Sequence, residues 1–210
     1  SPRPLQPEVN AAPRLFRPDL VALLTLIFFG YAAASYAVGG WIFTYATRMQ
    51  LFDETSAAYL TSVYWGALTV GRLVSIPLAA RLKPNRILLI DILGALAFSA
   101  LMALLPGSPL ALVVGTAGLG FFLATIFPTT MSLAGRVLAI NGKVTSIFSS
   151  GSSLGTLFVP WLVGQYFESV GPQVLTTLLM VDLGVALGVY ALLTRKIKQV
   201  EGFSQGSVGQ

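Results

Sequence analysis

The sequence predicts an all-α membrane protein in which six transmembrane helices form a 3+3 inverted repeat. Three observations carry this. Only 10% of the 210 residues are charged, 55% are hydrophobic and the mean hydropathy is +0.78, whereas a soluble domain carries about 25% charged residues. The apolar residues fall into six runs, each long enough for the roughly 20 residues that cross the hydrocarbon core. Lys and Arg gather on alternate connections between these runs, the pattern that fixes orientation in a bilayer.

The first run, about Leu20 to Ala46, follows SPRPLQPEVNAAPRLFRPD, a Pro- and Arg-rich stretch that has the features of neither a signal peptide nor a presequence. Residues 1–18 therefore read as a cytoplasmic linker or tail. The second run, Ser56 to Ala80, starts after Asp53 and Glu54, and the third, Ile87 to Leu105, starts after a cationic connection. Pro106-Gly107-Ser108-Pro109 separates the fourth run, Leu110 to Ala134, from the third. Val144 to Phe167 and Val174 to Thr194 complete the bundle, 19–194, leaving 195–210 as a cytoplasmic tail. None of the runs alternates polar with apolar residues as a barrel strand would, so helices satisfy their backbone groups in lipid.

Arg3, Arg14, Arg17, Arg81, Lys83, Arg86, Arg136, Lys143, Arg195, Lys196 and Lys198 fall on one side of this topology, and Arg48 stands on the other with Asp53, Glu54 and Glu168. Cations stay cytoplasmic, which places both termini there and accounts for the net charge of +5 without a nucleic-acid partner. The membrane that holds the chain is left open. Cys and His are absent, which excludes Cys nucleophiles, His bases, thiolate or imidazole metal sites and haem ligation by either residue. The remaining route to an intramembrane enzyme is a Ser/Lys or carboxylate device, and the Lys residues lie in loops or the tail. We expect no enzyme, cofactor or metal.

Three spans on either side of Pro106-Gly107-Ser108-Pro109 give two blocks of opposite orientation. Gly39-Gly40 is expected to interrupt the first helix, and Pro128 the fourth at nearly the same offset. Paired interruptions of this kind point to a midplane solute site. The other reading is that Gly and Pro are common in membrane helices.

Between the second and third runs lies Gly71-Arg72-Leu73-Val74-Ser75-Ile76-Pro77-Leu78-Ala79-Ala80-Arg81-Leu82-Lys83-Pro84-Asn85-Arg86. It resembles the second-repeat form of the loop signature of the major facilitator superfamily, with Ala80 where the family usually has an acidic residue. Gly39-Gly40-Trp41-Ile42-Phe43-Thr44-Tyr45-Ala46 and Tyr59-Leu60-Thr61-Ser62-Val63-Tyr64-Trp65-Gly66 are similar to the seventh and eighth helices of the fucose-permease and sodium-dependent glucose-transporter branch. The resemblance covers Asp19 to Thr194. It implies the C-terminal half of a twelve-helix transporter, preceded by the linker between halves, with the missing N-terminal half or a second copy as partner. Members of the branch often carry an acid shortly before the Gly-Gly-Trp. Ala34 and Ser35 stand there, which weakens ion coupling through this half.

The side chains near the two interruptions supply what a neutral, hydroxylated solute needs, namely aromatic faces and hydroxyls. Ser35, Tyr36, Gly39, Gly40, Tyr45, Trp65, Pro128 and Thr129 are the substrate-site candidates, and the solute is expected to be a small molecule, a sugar. An interfacial aromatic belt is the competing account of some of the aromatics. Ser149 and Ser153 repeat at one turn and face either the sugar or the opposing half, while Gly151 and Gly155 have the spacing of close helix packing. Gly71, Arg72, Arg81, Arg86 and Asp91 are the gating candidates. Arg72 lies roughly 12 Å and Asp91 roughly 7.5 Å from their helix ends at 1.5 Å per residue, so an ion pair is expected between them, as a gate, a fixed staple or two groups reaching for the rim. Asp182, deep in the sixth run, reads as a hydrogen-bonded structural acid or as a proton or cation site. A six-helix scaffold or accessory protein without transport is the alternative reading, and it would lack a polar inner wall.

Overall fold

The computed structural model describes residues 17–206, with side chains described from Arg17 to Gln199. The earlier linker residues, including Arg3 and Arg14, and the last four residues lie outside the described residues. The chain forms α1 (Pro18–Arg48), α2 (Glu54–Arg81), α3 (Pro84–Leu104), α4 (Pro109–Leu123), α5 (Ile126–Val137), α6 (Gly142–Val170) and α7 (Val174–Gly206). Six segments are long and apolar enough to span, with α4 and α5 together making the fourth. Proline opens α1, α3 and α4, where its missing N–H costs nothing. Ser108 Oγ accepts from the Ala111 N–H at 3.2 Å, and Asn141 Oδ1 from the Val144 N–H at 3.0 Å, capping α4 and α6. Gly171, with φ of +103°, ends α6. The sixth span does not stop at Thr194; α7 runs on to Gly206, through most of the expected tail.

The two expected interruptions differ. The α1 helix is unbroken through Gly39 and Gly40, because two glycines weaken a helix without removing a hydrogen bond. The fourth span does break, at Ala124-Thr125. Pro128 has no N–H to offer the carbonyl four residues back, and its ring crowds that same carbonyl, which belongs to Ala124.

The packing has a simple rule. The α1 helix lies against α6 and α7, and α4 lies against α2 and α3, while α3 and α7 touch each other. Exchanging the repeats, α1 for α4 with α5, α2 for α6 and α3 for α7, maps these pairings onto one another, so the inverted repeat is visible in the contacts. Small residues make the close approaches: Ala32, Ala33, Ala34 and Ala37 are buried on α1, and a Cβ on Gly155 of α6 would collide with the Phe29 backbone. Consecutive spans are not always neighbours. The α2 and α3 helices do not form a packed pair, since α4 takes the place beside each.

One end of the bundle gathers Lys83, Asn85, Arg136 and Ile197 around a shared cavity, and Lys196 of α7 pairs with Asp19 of α1 at 3.3 Å. At the other end Arg48 pairs with Glu168, and Gln173 donates to Met49. The cations thus separate between the two ends as the connections require.

Candidate functional site

The facing surfaces of α1 and α2 build one wall. Ser35 Oγ and Tyr64 Oη share a hydrogen bond of 2.7 Å, and both residues are buried. Trp65 stands edge-on to Tyr64, ring centroids 5.1 Å apart. Its indole lies over Gly39, where a Cβ would come to 2.9 Å of Cζ2. The second glycine of the pair, Gly40, has open space before it. Tyr31 meets Phe127 of α5 at 6.0 Å, and Tyr31, Tyr36 and Arg72 all lie within electrostatic reach of Tyr64. Tyr36 and Trp65 are 50% and 42% exposed, so the wall presents an exposed indole and phenol from the residues next in sequence to the buried hydroxyl pair. Thr69, a turn beyond Trp65, donates to its carbonyl at 2.9 Å.

The other candidates fall into separate places. Pro128 and Thr129 line a cavity of about 120 Å³ with Ser75, Ser132 and Arg136, at the α2, α3 and α5 end rather than beside Tyr36. Ser149 and Ser153 are exposed along α6, while Gly151 and Gly155 pack on Thr25 and Phe29. Tyr45 is not available to a solute: it is 1% exposed and its hydroxyl has no partner.

Among the gating candidates, Gly71 is a contact point, because a Cβ there would stand 2.5 Å from the Phe121 carbonyl oxygen and 2.8 Å from the Ala124 Cβ. Arg72, Arg81 and Arg86 are exposed. The expected Arg72 to Asp91 ion pair does not form. Asp91 is buried and accepts a hydrogen bond from the Thr125 hydroxyl, at the break in the fourth span. The depth argument placed Arg72 and Asp91 at compatible levels, but their helices are not packed together, so level alone could not bring them into contact. The hydrogen-bonded reading of Asp182 is not met: its Oδ2 is buried without a hydrogen-bond partner among the described residues. Among the described residues no three Asp, Glu, His or Cys side chains come together as a metal-holding group.

Tyr31, Tyr64, Phe127 and Thr125 are not among the site residues expected from the sequence. Tyr64 adjoins Trp65, and Phe127 adjoins Pro128, so adjacency to a chosen residue was the available signal.

Six spans in exchange-symmetric repeats, with a polar aromatic wall across two of them, make this an integral multi-pass membrane protein. The chain belongs to the major facilitator superfamily, whose profile matches residues 1–160. It is 35% identical over 177 residues to sodium-dependent glucose transporter 1 of Xenopus laevis, covering 81% of this chain and 36% of that protein. It is 33% identical over 149 residues to major facilitator superfamily domain-containing protein 4A of Danio rerio, covering 70% and 28%. The mouse (Mus musculus) protein of that name is 31% identical over 136 residues, covering 64% and 27%. The chain therefore spans roughly a third of the length of the curated relatives it matches.

Proposed function

We propose that the chain is the C-terminal six-helix half of a secondary transporter that moves a small polar solute, a sugar, by alternating access, and that it catalyses no reaction. The observation that carries this is the α1/α2 wall, where half-exposed Tyr36 and Trp65 are next in sequence to the buried, hydrogen-bonded Ser35 and Tyr64. Aromatic faces suit the C–H surface of a sugar, and hydroxyls suit its oxygens. The name of one relative, a glucose transporter, agrees with this reading. Serines 149 and 153 on α6 extend the polar surface toward the opposing half, which is either an N-terminal six-helix unit or a second copy. Gly71, Arg72, Arg81 and Arg86 would work at the cytoplasmic gate, with Asp91 holding the break in the fourth span. Ala34 and Ser35 leave α1 without an acid before Gly39, so coupling to an ion would be supplied by the other half.

Radiolabelled hexose uptake by the twelve-helix protein tests this. Tyr36→Ala and Trp65→Ala should each lower apparent affinity several-fold, the effect of losing about 1 kcal/mol, with surface expression unchanged. Wild-type uptake and affinity in both variants would remove the wall from the solute path.

A further inference from the structure

A third cavity, of about 230 Å³, lies between α1, α6 and α7. Leu26 and Phe29 of α1, Phe158 and Leu162 of α6, and Val181 and Val185 of α7 form most of its walls. Leu26, Val181 and Val185 are each at least half exposed, so its mouth is apolar and opens toward lipid. Phe158 and Leu162 follow Ser149 and Ser153 by nine residues, about two and a half turns at 3.6 residues per turn, which puts the cavity on the opposite side of α6 from the serines.

Asp182 is the sole polar side chain lining this space, and its Oδ2 is buried with no hydrogen-bond partner. The carboxyl lies against Gly30 of α1, where a Cβ would stand 3.4 Å from Oδ1, an ordinary contact distance. Asp182 is eight residues along α7 from Val174, roughly 12 Å at 1.5 Å per residue. A polar group left unpaired at such depth is costly.

The chemistry of the walls narrows the occupant. A buried water needs two to four polar partners, and the cavity offers one. A metal ion needs several oxygens. An ammonium group would satisfy only the ionised carboxylate and would bring its own desolvation cost. A hydroxyl both donates and accepts, so it satisfies the acid and the carboxylate alike. The remaining walls ask for hydrocarbon, and the space exceeds the roughly 150 Å³ that holds a benzene ring.

We infer that this cavity binds an apolar alcohol dissolved in the bilayer, with its hydroxyl on Asp182 and its ring or chain along the apolar walls that Leu26, Phe158 and Val185 form. The site is separate from the α1/α2 wall, and its occupancy is read without any transport measurement.

The test is photolabelling of the protein in phosphatidylcholine vesicles that contain a diazirine-bearing cholesterol, followed by peptide mapping. Label should fall on the α1, α6 and α7 segments that line the cavity. Hexadecanol should displace it better than hexadecane or hexadecylamine. Asp182→Leu should lower the labelling about fivefold, the loss expected from one hydrogen bond, and Asp182→Asn should retain it. If Asp182→Leu does not accumulate, Val185→Trp, which fills the mouth from an exposed position, should abolish the label. Labelling elsewhere, labelling that neither Asp182→Leu nor Val185→Trp reduces, or displacement by hexadecylamine or hexadecane as effective as by hexadecanol would overturn the assignment.

Discussion

Asp91 of α3 accepts its hydrogen bond from Thr125, the residue at which the fourth span changes from α4 to α5. A buried carboxyl therefore holds the one point where that span lacks continuous helix. Thr125→Val would strand Asp91 and should destabilise the protein by about 1–3 kcal/mol. Asp91→Ala should do the same, and the double variant should lose less than the sum of the two. Arg72→Ala should be additive with Asp91→Ala, because no pair joins them. Thermal unfolding in detergent measures the three single and two double variants, and a coupling between Arg72 and Asp91 would contradict the structure.

Ser35 and Tyr64 make the second buried polar contact of interest. Tyr64→Phe should lower stability by about 1 kcal/mol by leaving Ser35 without its partner. Tyr36→Phe, at a half-exposed position, should leave the unfolding temperature unchanged. Equal unfolding temperatures for the two variants would argue against the hydrogen bond.

The contact between Gly155 and the Phe29 backbone sets the α1 to α6 spacing. Gly155→Ala should cost about 1–3 kcal/mol through overpacking, whereas Gly184→Ala, which meets open space, should fall within about 0.5 kcal/mol of the parent. Monodispersity on size exclusion and the unfolding midpoint both report the difference.

Orientation follows from the separation of cations between the two ends. With no native Cys in the chain, single cysteines at Lys83 and Lys198 should react with an impermeant maleimide only from the cytoplasmic side, and one at Ser108 only from outside. Reaction at Lys83 from outside would reverse the proposed topology.

The six spans were legible because apolar length is a local property, read from each run without knowing its neighbours. The break near Pro128 was legible in part, since the ring withholds one helical N–H. Gly39-Gly40 was misread because a glycine pair permits a break without requiring one, and α1 continues through it as helix. Pro77 and Pro160 sit within unbroken helices, so the ring alone does not decide where a span opens. Arg72 and Asp91 were paired by depth, which sequence gives, but contact depends on which helices adjoin, which sequence does not. Of the site, the aromatic and hydroxyl inventory was legible. The burial of Tyr45 and the partnership of Ser35 with Tyr64 depend on helix rotation, which weak amphipathicity leaves undetermined in a bundle with lipid on its outer side.

The absence of a packed α2 and α3 pair has a consequence for biogenesis. During synthesis Asp91 of the third span is made before the fourth span that carries its partner. Its partner Thr125 is 34 residues away, a wait of roughly 2 to 7 seconds at 5–20 residues per second. Through that interval the Asp91 carboxyl lacks the hydroxyl it bonds in the folded bundle, and the apolar residues of α3 are what favour its place in the bilayer.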